Sequence, residues 1–317
     1  MAKEKGFLMK SVCVNHPDTK ATALCAFCSK PVCPRCIVER NAHFYCSEEC
    51  AGNAGKATLE LAKADAQNYG IEFSEDYTVL KHFPSNCKLT SYQIPACVTA
   101  IGDGAFSGCE ELSSITLPAG VTTIGDGAFR NCKKLSRVML PDSVTAIGNE
   151  AFRKCTGLRH ITLGKNVTTI GNKAFDDCKN LSSITLGKNV TAIGDGAFVQ
   201  TGRIVLDKEN QNFMIKDDAL IEKQTQRLIH YFGQAENYHV PQGVTVIGDY
   251  AFSDCENLSS ITFPDSVTAI GNDAFFFCVN LKRITLPAAI WAIHPDAFYC
   301  AGCEDYVKQN YGHLMRE

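Results

Sequence analysis

Apolar and polar positions alternate in short stretches that return every 23 residues between about residues 83 and 300. With x for any residue, the repeat reads L-x-x-I-T-L-P-x-x-V-T-x-I-G-x-x-A-F-x-x-C. Its Ala-Phe pair occurs at Ala105-Phe106, Ala128-Phe129, Ala151-Phe152, Ala174-Phe175, Ala197-Phe198, Ala251-Phe252, Ala274-Phe275 and Ala297-Phe298. One copy of so short an apolar skeleton cannot bury itself, so the pattern predicts copies that stack into a solenoid with a continuous core.

Each copy predicts two short strands and a buried corner. The alternation in Ile115–Leu117 indicates a strand with its isoleucine and leucine inward and the intervening threonine outward. Val121–Ile124 indicates a second extended piece, and Ala128 and Phe129 then fill the interior. The fold class expected is therefore mainly β.

The ends of the repeat region depart from the consensus. Phe83 stands 23 residues before Phe106, which indicates a degenerate first coil. About 31 extra residues interrupt the count between Phe198 and Phe252. At the other end, residues 300–317 are expected to form a polar helix that covers the last coil, because the open end of a solenoid needs a cap.

Composition narrows the function classes. The 317 residues are 45% hydrophobic with a net charge of -3, which gives no electrostatic footprint for nucleic acid. The first residues lack the apolar run of a secretory signal, and no stretch reaches the roughly 18 apolar residues of a membrane span. A cytoplasmic location is the expectation, with the cell surface as the alternative.

The 17 cysteines form two groups with different expected uses. Seven crowd the first 50 residues in close pairs. One column of the repeat holds Cys109, Cys132, Cys155, Cys178, Cys255 and Cys278. Stacked coils place such a column at strand spacing, where buried thiols act as small apolar groups. Disulfides along the column are the alternative, although pairing would strain every coil.

The N-terminal cysteines and one histidine have the spacing of zinc ligands. Paired at short spacing are Cys13 with His16, Cys25 with Cys28, Cys33 with Cys36, and Cys46 with Cys50. A two-residue gap turns both side chains toward one ion, and eight ligands make two tetrahedral sites. The prediction is two zinc ions with structural roles, because full protein ligation leaves no open position for catalysis.

These ligand pairs resemble the B-box zinc finger, and Phe44–Cys50 is similar to the closing knuckle of MYND-type fingers. The resemblance implies a cross-brace. In it, Cys13, His16, Cys33 and Cys36 share one ion, and Cys25, Cys28, Cys46 and Cys50 share the other. A B-box usually ends in His-x2-His, so His43 is an alternative to Cys50 as the last ligand.

Three domains follow from these patterns. Residues 1–52 are expected to form the small zinc-binding domain, and residues 53–75 a linker with a helix that starts near Thr58 and ends at Gly70. Residues 76–317 are expected to form the solenoid.

The repeat resembles the BspA-like class of leucine-rich repeat over roughly residues 83–300. This resemblance implies a leucine-rich-repeat solenoid. It also implies that the interruption at about residues 207–240 is a hairpin insert, with Ala219–Ile221 and Arg227–Ile229 as its two strands.

Outward positions are where the coils differ from one another. Arg137, Met139 and His160 interrupt a threonine ladder in adjacent coils and are the first candidate surface for a protein or peptide partner; drift on a solvated face is the alternative. Phe276 and Phe277 are the second candidate. A C-terminal helix that covers these two aromatic residues is the alternative there.

Catalysis finds little support, because the histidines are scattered and no nucleophile is matched to a base. We expect a non-enzymatic adaptor that holds protein partners through its zinc finger and its repeat surface. The alternative is an adhesin-like surface protein exported without an evident signal. The sequence does not identify the partner.

Overall fold

The computed structural model describes residues 23–24, 31–32, 38–40, 43–45 and 47–316. Before residue 47 the described strands are β1 (Ala23–Leu24), β2 (Pro31–Val32), β3 (Val38–Arg40) and β4 (His43–Tyr45). Strand β1 pairs antiparallel with β2, and β3 with β4.

Helix α1 (Glu48–Tyr69) begins ten residues before the start predicted near Thr58, so it crosses the expected domain boundary at residue 52. It stops at Gly70, whose φ of 69° lies in the left-handed region that glycine adopts without steric cost. The Tyr92 hydroxyl of the first coil donates a buried hydrogen bond of 2.8 Å to the Asp65 carboxylate. The helix therefore packs on the first coil and closes that end of the core.

Each coil contributes one strand to each of two sheets. Sheet A contains β5 (Glu72–Phe73), β6 (Val79–His82), β8 (Ala100–Ile101), β10 (Thr123–Ile124), β12 (Ala146–Ile147), β14 (Thr169–Ile170) and β16 (Ala192–Ile193). Sheet B contains β7 (Ser91–Gln93), β9 (Ser114–Thr116), β11 (Arg137–Met139) and β13 (His160–Thr162), followed by the pair β15 (Ser183–Leu186) and β17 (Arg203–Leu206). Apart from β5 and β6, neighbouring strands run parallel, because each coil repeats the path of the coil before it.

Both sheets resume after residue 206. A six-stranded sheet contains β18 (Phe213–Lys216), β19 (Ala219–Glu222), β20 (Arg227–Tyr231), β22 (Val246–Ile247), β24 (Ala269–Ile270) and β26 (Ala292–Ile293). Sheet B continues as β21 (Asn237–His239), β23 (Ser260–Thr262) and β25 (Arg283–Thr285). We call residues 80–206 the first block, residues 207–226 the insert and residues 227–303 the second block.

The repeat phenylalanines stack ring on ring through the core of both blocks. In the first block the ring centroids of Phe129 and Phe152 lie 5.1 Å apart and are nearly parallel. In the second block Phe275 and Phe298 lie 4.9 Å apart in the same way. Stacking at strand spacing follows because one residue type fills the same place in successive coils. The predicted mainly β solenoid of 23-residue coils is thus confirmed.

The cysteine column is a ladder of free, mostly buried thiols. The Sγ of Cys155 donates to the carbonyl oxygen of Phe129 at 3.0 Å, and that of Cys278 donates to Phe252 at 3.0 Å. Burial raises the pKa of the Cys155 thiol well above its usual value, so it stays protonated and can donate. The alternative of disulfides along this column is not found in the described residues.

The interruption contains the expected hairpin, formed by β19 and β20, and one further strand, β18. Strands β18, β19 and β20 form an antiparallel meander, and β20 then pairs parallel with β22 of the second block. Alternate side chains of the meander enter different cores: Leu220 and Ile229 join the core of the first block, whereas Ala219 and Ile221 join that of the second. Side chains of a strand alternate between its two faces, so the meander of β18, β19 and β20 is a partition with an apolar surface on both sides.

The C-terminal end is covered by helix α2 (Glu304–Tyr311) and a 3-10 helix (Gly312–Leu314). Val307 of α2 is fully buried against the core of the second block. Met315 then forms a β-bridge with Ile293 of the last coil. This is the cap that the sequence predicts.

Candidate protein-binding surface

Strands β11 and β13 of sheet B carry the first candidate surface. Each is three residues long, with its middle side chain buried and its outer two exposed. The parallel register places Arg137 beside His160, and Met139 beside Thr162. All three predicted residues therefore lie together on one outward face, which we call the block-one face.

The block-one face offers unused binding groups. Met139 is 63% exposed, so its thioether is open to a partner. In the part of the chain that the structure describes, Arg137 and His160 have neither an ion pair nor a side-chain hydrogen bond. An outside partner can therefore use the forked guanidinium donors and the imidazole without breaking an internal contact.

Two further members of this face were missed by sequence reasoning. Arg203 and Val205 are exposed on β17, and they pair in register with Ser183 and Thr185. The spacing between those positions is 20 residues rather than 23, so the column could not be aligned by counting. The alternation in Arg203–Leu206 was the available signal. These residues extend the face to the end of the first block.

On the same side of the second block, outward side chains of β21 and β23 bond to one another. The Ser260 hydroxyl donates to the Asn237 amide oxygen at 2.6 Å, and the His239 ring is hydrogen-bonded to the Thr262 hydroxyl. Polar groups that are already paired gain less from a partner, because each internal contact must first be broken.

The second candidate surface lies at the corner of the last coils. The rings of Phe276 and Tyr299 stack at 5.9 Å, and Phe276 also contacts Phe277 at 4.9 Å. Phe277 is 43% exposed and Tyr299 is 52% exposed, so helix α2 does not cover them. We call these three residues the aromatic edge.

Seven of the predicted zinc ligands lie outside the described residues: Cys13, His16, Cys25, Cys28, Cys33, Cys36 and Cys46. The backbone of Cys50 is in α1 and that of His43 is in β4. Residues 47–316 and the short strands before them contain no group of three or more metal-binding side chains. The two zinc ions and the choice between His43 and Cys50 remain predictions. Within the same residues, no helix is long and apolar enough to cross a membrane.

The stacked coils and their parallel sheets define a leucine-rich-repeat solenoid. The family model described as "BspA type Leucine rich repeat region" matches residues 80–204 and 228–310, with six copies of the repeat. This is more than half of the chain, so the chain belongs to the BspA-type leucine-rich repeat family. The two matched ranges leave out the insert, which is where the repeat is interrupted. A comparison with curated proteins found no match.

The solved structures that resemble this chain include two with identities above 25% and TM-scores above 0.5. The pneumococcal vaccine antigen PcpA aligns with a TM-score of 0.61 and 26% identity, over 72% of this chain and 56% of that chain. A leucine rich cell surface protein from Faecalibacterium prausnitzii A2-165 aligns with a TM-score of 0.56 and 27% identity, over 85% of this chain and 78% of that chain. The chain thus spans little more than half of the pneumococcal antigen.

A leucine-rich repeat protein from Eubacterium ventriosum aligns with a TM-score of 0.50 and 23% identity, over 72% of this chain and 66% of that chain. This likeness supports the fold alone.

Proposed function

We propose that this protein is a non-enzymatic, adhesin-like interaction protein that binds a protein partner on its block-one face. The observation that carries the proposal is the set of exposed and unpaired groups of Arg137, Met139 and His160 on a regular parallel sheet. A rigid sheet presents these groups without a large ordering cost on binding. A guanidinium, a thioether and an imidazole in the open suit an extended protein surface better than an enclosed metabolite.

A location at the cell surface is favoured over the cytoplasmic one that the sequence alone suggests. Support comes from the relatives, one of which is described as a vaccine antigen and another as a cell surface protein. The zinc-finger adaptor is the second candidate, and it rests on the ligand spacing of the first 50 residues. Protease treatment of intact cells separates the two: a surface protein is cleaved, whereas a cytoplasmic adaptor is protected until the cells are broken.

The binding proposal is tested with a photo-crosslinking residue placed at Met139 of the full chain. The matched control carries the same residue at Thr262, which occupies the equivalent outward position on β23. A partner that crosslinks from position 139 and not from position 262 is then purified for affinity measurement.

Affinity measurements on variants distinguish specific contacts with that partner from non-specific binding. Arg137→Ala with Met139→Ala is expected to weaken binding by about 1–3 kcal/mol, the usual cost of removing central contacts. The control pair, Ser260→Ala with Thr262→Ala, should leave the affinity unchanged. Unaltered affinity in the first pair, together with a loss on Phe276→Ser with Phe277→Ser, would move the interface to the aromatic edge.

A further inference from the structure

A cavity of about 230 Å³ opens where the two blocks meet. Its walls come from three chain segments: residues 200–201, residues 230–235 and residues 253–258. Each segment leads directly into a strand of sheet B, namely β17, β21 and β23. The cavity therefore lies at the starts of these strands, next to the surface on which the proposed partner would lie. We call it the junction cavity.

The side chains around the junction cavity are rich in acceptors. Asp254 and Glu256 supply two carboxylates, and no lysine or arginine is among the described residues that line it. Gln200 adds an amide group, whereas the Gln234 amide oxygen already accepts a hydrogen bond of 2.9 Å from the Asn257 amide. The Asp254 carboxylate accepts one hydrogen bond from the Ser253 hydroxyl at 2.9 Å, which leaves capacity for further donors.

His230 provides a second, independent indication of a ligand. His230 is only 5% exposed, and it is one of the residues that line the cavity. The Nε2 atom has no hydrogen-bond partner among the described residues. Burial lowers the pKa of His230 to about 4, so at neutral pH the ring is uncharged and keeps one nitrogen as an acceptor. A buried polar atom is normally paired, so a donor that reaches Nε2 would satisfy it.

We propose that the junction cavity binds the guanidinium group of an arginine side chain, presented by the partner on the block-one face. The guanidinium matches the cavity in charge and in its number of hydrogen-bond donors. A guanidinium carries five N–H donors in a fixed plane, and the residues that line the cavity offer two carboxylates, the Gln200 amide oxygen and a neutral imidazole as acceptors. An ammonium has three donors and uses fewer of these acceptors. The source of the arginine rests on the proposed function, whereas the chemistry of the cavity does not.

The experiment titrates the full chain with N-acetyl-arginine amide and follows binding by NMR line shifts and calorimetry. N-acetyl-citrulline amide is the matched probe, since it has nearly the same shape without the charge. We expect saturable binding of the arginine probe and binding about tenfold weaker, or none, for the citrulline probe. Absence of saturable binding, or equal binding of the two probes, would overturn the proposal.

Variants locate the binding within the molecule. Asp254→Asn with Glu256→Gln should weaken the arginine probe about tenfold or more, because both charges of the cavity are lost. Asparagine tolerates the positive φ of 60° at position 254, so the fold should survive. The control is Asp177→Asn, at the same corner of an earlier coil with a φ of 61°. Equal losses in the two variants would show a general charge effect and contradict the proposal.

The two proposals fail separately. Arg137→Ala with Met139→Ala should reduce partner binding and leave the affinity of the arginine probe unchanged. If the probe binds and the partner does not depend on position 137 or 139, the cavity proposal stands and the face proposal falls. If the probe does not bind while the partner does, the reverse holds.

Discussion

The two blocks of coils share an interior and differ in what they expose. Inside, phenylalanine rings stack at about the same spacing in both, 5.1 Å between Phe129 and Phe152 and 5.0 Å between Phe252 and Phe275. Outside, the first block presents an unpaired arginine and an exposed methionine, whereas strands β21 and β23 of the second block present side chains that bond to one another. Stacking constrains the core of every coil, but it leaves the outward positions free to vary. Binding specificity is therefore expected outside, and in the first block.

The meander of β18, β19 and β20 also separates the ring stacks of the two blocks. The stack of the first block ends at Phe198, whose ring lies 6.2 Å from the buried His230 ring. The stack of the second block begins at Phe252, whose ring lies 5.2 Å from Tyr231. Two neighbouring residues of β20 thus face different cores. Strand β20 therefore separates the two ring stacks, which do not form one continuous stack.

Zinc chelation should have the largest effect on stability. It should unfold the N-terminal segment and leave both blocks folded. The eight predicted ligands should hold two zinc ions, and metal binding in small fingers contributes on the order of 10–16 kcal/mol per site. Elemental analysis should find two equivalents per chain. Chelation should unfold the segment while the strand signal of the coils persists in circular dichroism, because both blocks rest on apolar cores. Well under two equivalents, or loss of the strand signal, would contradict this.

Cavities in the two ring stacks test whether the cores are separate. Phe152→Ala and Phe275→Ala each remove the middle of a stack, and each should cost about 3–5 kcal/mol. The protein has one tryptophan, Trp291, which lies in the second block. In urea, Phe275→Ala should move the transition seen by tryptophan fluorescence, whereas Phe152→Ala should move mainly the circular dichroism transition. Coincident shifts in both variants would show that the blocks unfold as one unit.

Protonation of His230 should weaken the junction between the blocks. Its folded pKa of about 4 lies below the ordinary 6.5, because burial disfavours the charged ring. The unfolded chain therefore binds the proton more readily, so this contribution to stability is complete above about pH 6.5 and is lost as the pH falls toward 4. The loss between pH 7 and pH 5 should be about 2 kcal/mol.

Urea unfolding at the two pH values measures this loss. His230→Phe should remove most of the pH dependence, since phenylalanine suits the apolar surroundings next to Phe198 and does not titrate. His160→Asn, on the exposed face, serves as the control and should keep the dependence. An unchanged pH dependence in His230→Phe would show that other groups cause it.

The ion pair across the junction should have the smallest effect. Arg227 contacts Asp195 of the first block at 2.7 Å and Asp249 of the second at 3.6 Å. Since these side chains are partly exposed, solvent screens the contact, and Arg227→Met should cost about 0.5–1 kcal/mol. The control, Lys188→Met, breaks a pair whose side chains are more than half exposed, and it should cost close to nothing. Equal costs would remove any special role for Arg227 between the blocks.

The interior of the coils could be predicted because each buried column repeats one residue type. Ala, Phe and Cys return at fixed positions, and even the degenerate first coil was recognised from Phe83, which is buried as expected. The block-one face was found for a related reason: Arg137, Met139 and His160 break an otherwise regular outward pattern. Whether they bind a partner depends on a second molecule, which the pattern does not contain.

The junction was mostly missed, because it does not repeat. Strand β18 and the two-sided burial of β19 had no second copy to reveal them, and the burial of His230 follows from packing between two cores. The thin apolar face of helix α1 predicts a linker that either separates the domains or lies lightly on the first coil. Its contact with the first coil depends on Asp65 and Tyr92, which are 27 residues apart. Neither residue type signals such a pairing in the sequence.

The most direct test of the block-one face is hydrogen–deuterium exchange of the full chain, measured with and without the purified partner that crosslinking identifies. The account predicts slower exchange in β11, β13 and β17 on binding, and no change in β21 and β23. Protection confined to the second block, or to the corner around Phe276, with unchanged exchange in β11 and β13, would contradict it.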